Sequence, residues 1–116
     1  METNYTGNQM SLFPAMVDPV YNEQMTIAER FEVFHRANPH VAALLSEMAL
    51  NLRRAGRSRY GMKALVEALR YQYMIQTRSE DDFRINNNYT AHYARLLMEE
   101  YPELDGFFEV RVIRTP

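Results

Sequence analysis

Between Arg53 and Lys63 the chain carries Arg53, Arg54, Arg57, Arg59 and Lys63 with no acid among them; the flanking acids are Glu47 and Glu67. Tyr60 is interleaved, with a ring that stacks and a hydroxyl that hydrogen-bonds. Five cations crowded into eleven residues are suited to gripping a phosphate backbone or an acidic protein surface. The ordinary alternative is a solvated corner in which Arg53 and Arg54 close a helix C-terminus, where the macrodipole favours cations. Cations at the start of the next helix oppose its dipole, which favours a functional reason for them. A second stretch, Asn86-Asn87-Asn88-Tyr89-Thr90-Ala91-His92-Tyr93-Ala94-Arg95, opens a helix with side chains able to read bases. If Tyr93, Ala94, Leu97 and Met98 face inward, Asn88, His92, Arg95 and Glu99 share an outer face. Asn suits adenine and Arg suits guanine in such a position. Three asparagines also serve simply as a tight loop and helix cap.

Other chemistry finds little support. The histidines are His35, His40 and His92; the first two straddle Asn38-Pro39 and do not share a helical face at metal-ligand spacing. Cysteine is absent, which removes disulfides, thiolate catalysis and Cys-ligated zinc. The four glycines form no phosphate-cradling loop, and no nucleophile elbow is present. Glu99 and Glu100 are neighbours on a helix and diverge. The expectation is a non-enzymatic protein without cofactor or metal.

The elements that would position these residues are mainly helical. Thr26-Ile27-Ala28-Glu29 matches a capping box and predicts a helix to about Arg36, stopped before Asn38-Pro39. Asn38 and Pro39 then restart a helix as N-cap and N1. Val41, Leu44, Leu45, Met48, Ala49 and Leu52 form its apolar stripe. Gly56 suits the position after that helix ends. Ser58 is expected to cap a third helix that buries Met62, Leu65, Val66, Leu69 and Tyr73. Arg53, Arg57 and Arg59 should then project outward. A helix from Tyr89 to Tyr101 follows, ended by Pro102. Leu104-Asp105-Gly106 reads as a turn. Phe83-Arg84-Ile85 and Phe107 to Ile113 alternate and predict a small two-stranded sheet. The expected fold class is therefore mainly α: a compact domain of three to four helices over residues 26–116, helix-turn-helix or winged-helix-like, preceded by an extended N-terminal arm over residues 1–25. The arm is irregular yet apolar at Leu12, Phe13, Met16, Val17, Val20 and Tyr21, so it should lie across a surface of its own core or of a partner.

The 116 residues suit one domain, and hydrophobic and charged shares of 47% and 24% suit a globular protein. Twelve of the thirteen basic residues are arginine, with Lys63 the exception; arginine makes bidentate contacts that lysine does not. No apolar run reaches membrane-spanning length, and Met1-Glu2-Thr3-Asn4 lacks a signal-peptide pattern, so no membrane partner and a cytoplasmic location are expected.

The segments Asn38-Pro39-His40-Val41, Gly56-Arg57-Ser58-Arg59-Tyr60-Gly61, Ile85-Asn86-Asn87-Asn88-Tyr89, Tyr93-Ala94-Arg95-Leu96-Leu97-Met98 and Phe107-Phe108-Glu109-Val110-Arg111, in this order, resemble those of a group of small bacterial and phage-encoded helical proteins. The resemblance covers about residues 27–114. It implies a phage or prophage setting and a bacterial host cell, and supplies no activity or site residues. Two functions stay open. One is a small nucleic-acid-binding protein using Arg53, Arg54, Arg57, Arg59, Tyr60, Lys63, Asn88, His92 and Arg95, although a net charge of −2 is low for strong non-specific DNA binding. The other is an interaction protein, anti-CRISPR-like, that binds and inhibits a host protein or nucleoprotein complex, with Glu99, Glu100, Glu103 and Asp105 as a second charged patch. A homo-oligomer formed by exchanging residues 10–25 is a third possibility.

Overall fold

The computed structural model describes residues 14–77, 83 and 85–109. Helix α1 spans Ile27–Ala37. Its start is the capping box expected from sequence: the Glu29 amide donates to the Thr26 hydroxyl and the Thr26 amide donates to the Glu29 carboxylate. Helix α2 spans Pro39–Arg54, so one residue, Asn38, separates it from α1. Asn38 does not cap α2 with its side chain. It is fully buried, and its amide turns to the arm instead. The Val17 amide donates to Asn38 Oδ1 at 2.6 Å, while Asn38 Nδ2 donates to the Val17 carbonyl at 2.8 Å and to the Phe34 carbonyl at 3.1 Å. A buried amide so saturated avoids the desolvation cost of an unmade bond.

Helix α2 ends as the glycine predicts. Gly56 has φ +105°. The Gly56 amide donates to the Arg53 carbonyl and the Arg57 amide to the Leu52 carbonyl, each at 3.0 Å, which is the paired pattern of a Schellman end. Helix α3, Met62–Thr77, starts three residues later than a Ser58 cap would place it, and Ser58 is exposed. The α2–α3 connection thus runs from 55 to 61, longer than the 3–4 residues of a standard helix-turn-helix. A 3-10 turn over Asn87–Tyr89 leads into α4, Thr90–Glu100. Asn86 starts it: its Oδ1 accepts from the Asn88 amide at 2.8 Å. A further 3-10 turn, Pro102–Leu104, follows α4.

The small sheet is not found. Among the described residues there is no strand: Phe83, Ile85 and Phe107–Glu109 are irregular, while Arg84 and 110–113 lie outside them. The reason is visible at Gly106, whose φ of +73° follows Asp105 at φ −57°, ψ 126°. The Phe107 amide closes this type II turn on the Leu104 carbonyl at 2.9 Å. Phe107 and Phe108 then both enter the core instead of alternating, and the Phe107 carbonyl accepts from the Tyr60 amide at 3.1 Å. The C-terminal segment therefore closes on the α2–α3 connection.

One core joins the four helices. Phe31 and Phe34 of α1, Val41, Leu45 and Ala49 of α2, Leu65, Val66, Leu69 and Tyr73 of α3, and Tyr93, Ala94 and Leu97 of α4 are buried together with Leu104 and Phe107. Leu44, Met48, Leu52 and Met98, also expected inside, are half-buried around it. No helix of the described residues is long and apolar enough to cross a membrane.

The arm is docked on this body. Besides the Asn38 clamp, the Tyr73 hydroxyl donates to the Pro14 carbonyl at 2.8 Å, the Tyr89 and Tyr21 hydroxyls bond at 3.2 Å, and the Arg30 guanidinium sits 5.7 Å from the Tyr21 ring centroid. Burial and the Tyr89 hydroxyl hold the Tyr21 phenol well above its ordinary pKa.

Candidate functional site

The first residues of three helices meet at one concave surface. Ile27 of α1, Met62 of α3 and Thr90 of α4 line an open groove of about 780 Å³, with Lys63, Asn88, His92, Arg95 and Glu109 supplying its polar groups. Helix starts present the positive end of the macrodipole. At α1 the capping box occupies the Thr26 and Glu29 amides. At α4 the Tyr89 side chain makes no cap bond, and the 3-10 turn before it is capped by Asn86 and takes the Thr90 amide on the Asn87 carbonyl. Ala91 and Ala94 add apolar surface to the groove lining.

Four of the nine residues singled out from sequence, Lys63, Asn88, His92 and Arg95, are brought together in this groove. Lys63 and Asn88 are exposed. His92 is no free reading residue. Its ring stacks on Phe31 at 5.3 Å with the planes 22° apart, and Phe31 also meets the edge of Tyr93 at 4.7 Å. Burial, and next the neighbouring Arg95 charge, lower the His92 pKa from its ordinary 6.5, so the imidazole is neutral at pH 7. Glu99, expected on the same face, is exposed but does not line the groove.

The other five form the corner beside it, and their roles differ from the expected row of outward cations. Arg53 is half-buried, lies 5.9 Å from the Phe107 ring centroid and donates to the Ser58 carbonyl at 3.2 Å. It folds over the C-terminal segment because Phe107 offers it an aromatic face. Arg54 makes a fork-to-fork pair with Glu103, two bonds of 2.9 Å. That pairing raises the Arg54 pKa, and the same hydrogen bonds lower the Glu103 pKa. Tyr60 is half-buried against the core. Arg59 is exposed with Glu109 at 3.9 Å, a loose contact across solvent. Arg57 is exposed, with no ion-pair partner among the described residues.

The groove residues missed from sequence include Ile27, Gly61, Met62, Thr90 and Glu109. Ile27 and Thr90 follow legible caps, but nothing local reports that the two helix starts converge. Met62 was obscured by the early cap assigned to Ser58, and Glu109 by its assignment to a strand. Among the described residues no group of three or more His, Asp or Glu side chains is placed to hold a metal ion.

No protein-family model matches the chain, and neither a curated protein nor a solved structure shows significant similarity to it.

Proposed function

We propose that this protein is a non-catalytic binding module that takes an anionic partner, nucleic acid in the first instance, in the groove where α1, α3 and α4 begin. The observation that carries this reading is the joint placement of Lys63 and Arg95, 32 positions apart in the chain, on one open surface beside Asn88. Arg59, 3.9 Å from the Glu109 carboxylate, adds a further cation at that edge of the groove. Phosphates are attracted to such a cluster of cations and helix starts without a requirement for base contacts. The groove, and not a single inserted helix, is then the element that meets the backbone. Asn88 is left to make sequence-dependent contacts. Fluorescence anisotropy with labelled duplex and single-stranded DNA at low and at near-physiological salt tests this. Binding should weaken steeply with salt and be lost in Lys63→Glu.

A second reading, an interaction protein that inhibits a host protein or nucleoprotein complex, is favoured by a different observation. Arg54 is matched by Glu103 and Arg59 faces Glu109 within the chain, which fits a mixed-charge protein interface better than a phosphate grip. The net charge of −2 agrees, as does the resemblance to phage-encoded proteins. Wild type that fails to bind either DNA at low salt sinks the nucleic-acid reading and leaves this one.

A further inference from the structure

We propose that the arm is exchangeable between two copies of this chain, so that residues 14–21 of one copy occupy the seat on the other and form a reciprocal dimer. The seat is built from the helical body: Asn38 between α1 and α2, Tyr73 on α3, Tyr89 before α4 and Arg30 on α1. What it receives is backbone together with half-buried side chains, among them Met16 against the core and Tyr21. The Val17 amide and carbonyl meet Asn38, and the Pro14 carbonyl meets Tyr73. The Tyr21 side chain adds a ring and a hydroxyl. A second copy's arm carries the same groups in the same order, so exchange reproduces every one of these contacts and changes only the joint.

The joint has the properties exchange requires. Residues 22–25 connect arm to body through a local turn, in which the Met25 amide donates to the Asn22 carbonyl at 3.1 Å and the Gln24 amide to Asn22 Oδ1 at 2.7 Å. Asn22, Glu23 and Gln24 are exposed, so straightening the turn returns its polar groups to water. Of the large apolar side chains left in solvent, Tyr71 and Ile75 lie on α3, and the other three flank the joint in the chain: Val20 is 93% exposed, Val17 53% and Ile27 39%. In a reciprocal pair the two straightened joints pass each other at the two-fold axis, and Val20 and Ile27 of both copies are covered there. That burial is the gain a second copy offers over the closed monomer.

Joint length tests the proposal in the full chain. Light scattering after size exclusion should show the wild type shifting from monomer to dimer as concentration rises to the millimolar range. Removing Glu23 and Gln24 should leave the arm too short to fold back and give dimer even when dilute. Inserting a short Gly-Ser segment after Gln24 should give monomer throughout. Hydrogen exchange at the Val17 amide should stay slow in all three, because the seat is filled in each. A wild type that is monomeric at every concentration overturns the proposal. So does a dimer fraction indifferent to joint length, or a shortened chain that is monomeric with a rapidly exchanging Val17 amide.

Discussion

Arg54 and Glu103, 49 positions apart, face each other with two hydrogen bonds of 2.9 Å each. The pair ties the end of α2 to the 3-10 turn after α4 and removes one arginine from the basic corner. Both side chains remain about half exposed, so the pair fixes geometry more than it adds stability. Arg54→Ala is expected to leave affinity for DNA nearly unchanged. Glu103→Ala frees the guanidinium and should raise affinity and steepen its salt dependence. A loss of affinity in Arg54→Ala larger than that in Lys63→Ala would show that the corner, and not the groove, meets the ligand.

Arg57 and Lys63 give the complementary expectation. Each should act on phosphates, so Arg57→Ala or Lys63→Ala should weaken binding about equally for all sequences and lower the salt slope by about one unit. Asn88→Ala should instead change the preference among sequences, since it is the exposed groove residue with base-reading capacity. Parallel anisotropy titrations on several oligonucleotides separate the two behaviours.

The core residues Leu45 and Leu69, both essentially solvent-free, should each cost about 2–5 kcal/mol when replaced by alanine. Urea unfolding followed by far-ultraviolet circular dichroism measures this. A loss below about 1 kcal/mol at both sites contradicts the packing described, given the usual cost of such a cavity.

Acid should destabilise the fold through its histidines. Burial lowers the His40 pKa, and burial followed by the Arg95 charge lowers that of His92, both from 6.5. The unfolded chain therefore binds protons more readily than the folded one. Stability is fully present above pH 6.5 and falls as pH drops below it toward the folded-state values. Glu103, held below its ordinary 4.5 by Arg54, extends the loss at lower pH. Melting temperatures between pH 8 and 5 should fall in wild type and fall less in His92→Gln. An unchanged profile in that variant removes His92 from the account.

The arm should matter to stability wherever it is seated. Asn38→Ala leaves the Val17 amide and carbonyl without their partner, while the Phe34 carbonyl keeps the Asn38 backbone amide; the change is expected to cost about 1–3 kcal/mol, the usual cost of unsatisfied buried groups. Deleting residues 1–24 should lower the melting temperature as well. An unchanged melt in both variants would mark the arm as dispensable.

The helical layout was legible because its signals are local. The Thr26–Glu29 box, Asn38-Pro39, Gly56 and Pro102 each act within one turn of backbone, and each marks a helix end where expected. What was not legible depends on partners distant in the chain. Asn38 reads as a helix cap, but its amide is claimed by Val17 across 21 positions. Phe107 to Ile113 alternates like a strand, yet the Gly106 turn and the pull of the core bury Phe107 and Phe108 together. Arg53 reads as an outward cation and Arg54 as a helix-end one, and Phe107 and Glu103 draw them in. Of the site, residue types were visible, but not the convergence of helix starts that gathers Lys63, Asn88, His92 and Arg95 while leaving Arg53, Arg54 and Tyr60 to the C-terminal segment.

The contacts of that segment also set an order of events during synthesis. Arg54 is made long before Glu103, and Tyr60 long before Phe107. At about 5–20 residues per second, the intervening stretch takes several seconds to translate. Throughout that interval the nascent α2 end carries Arg53 and Arg54 with neither the carboxylate nor the aromatic ring that later engages them. The corner is thus completed last, and nascent chains arrested before Glu103 should be cut by trypsin after Arg53 or Arg54 far faster than the finished protein.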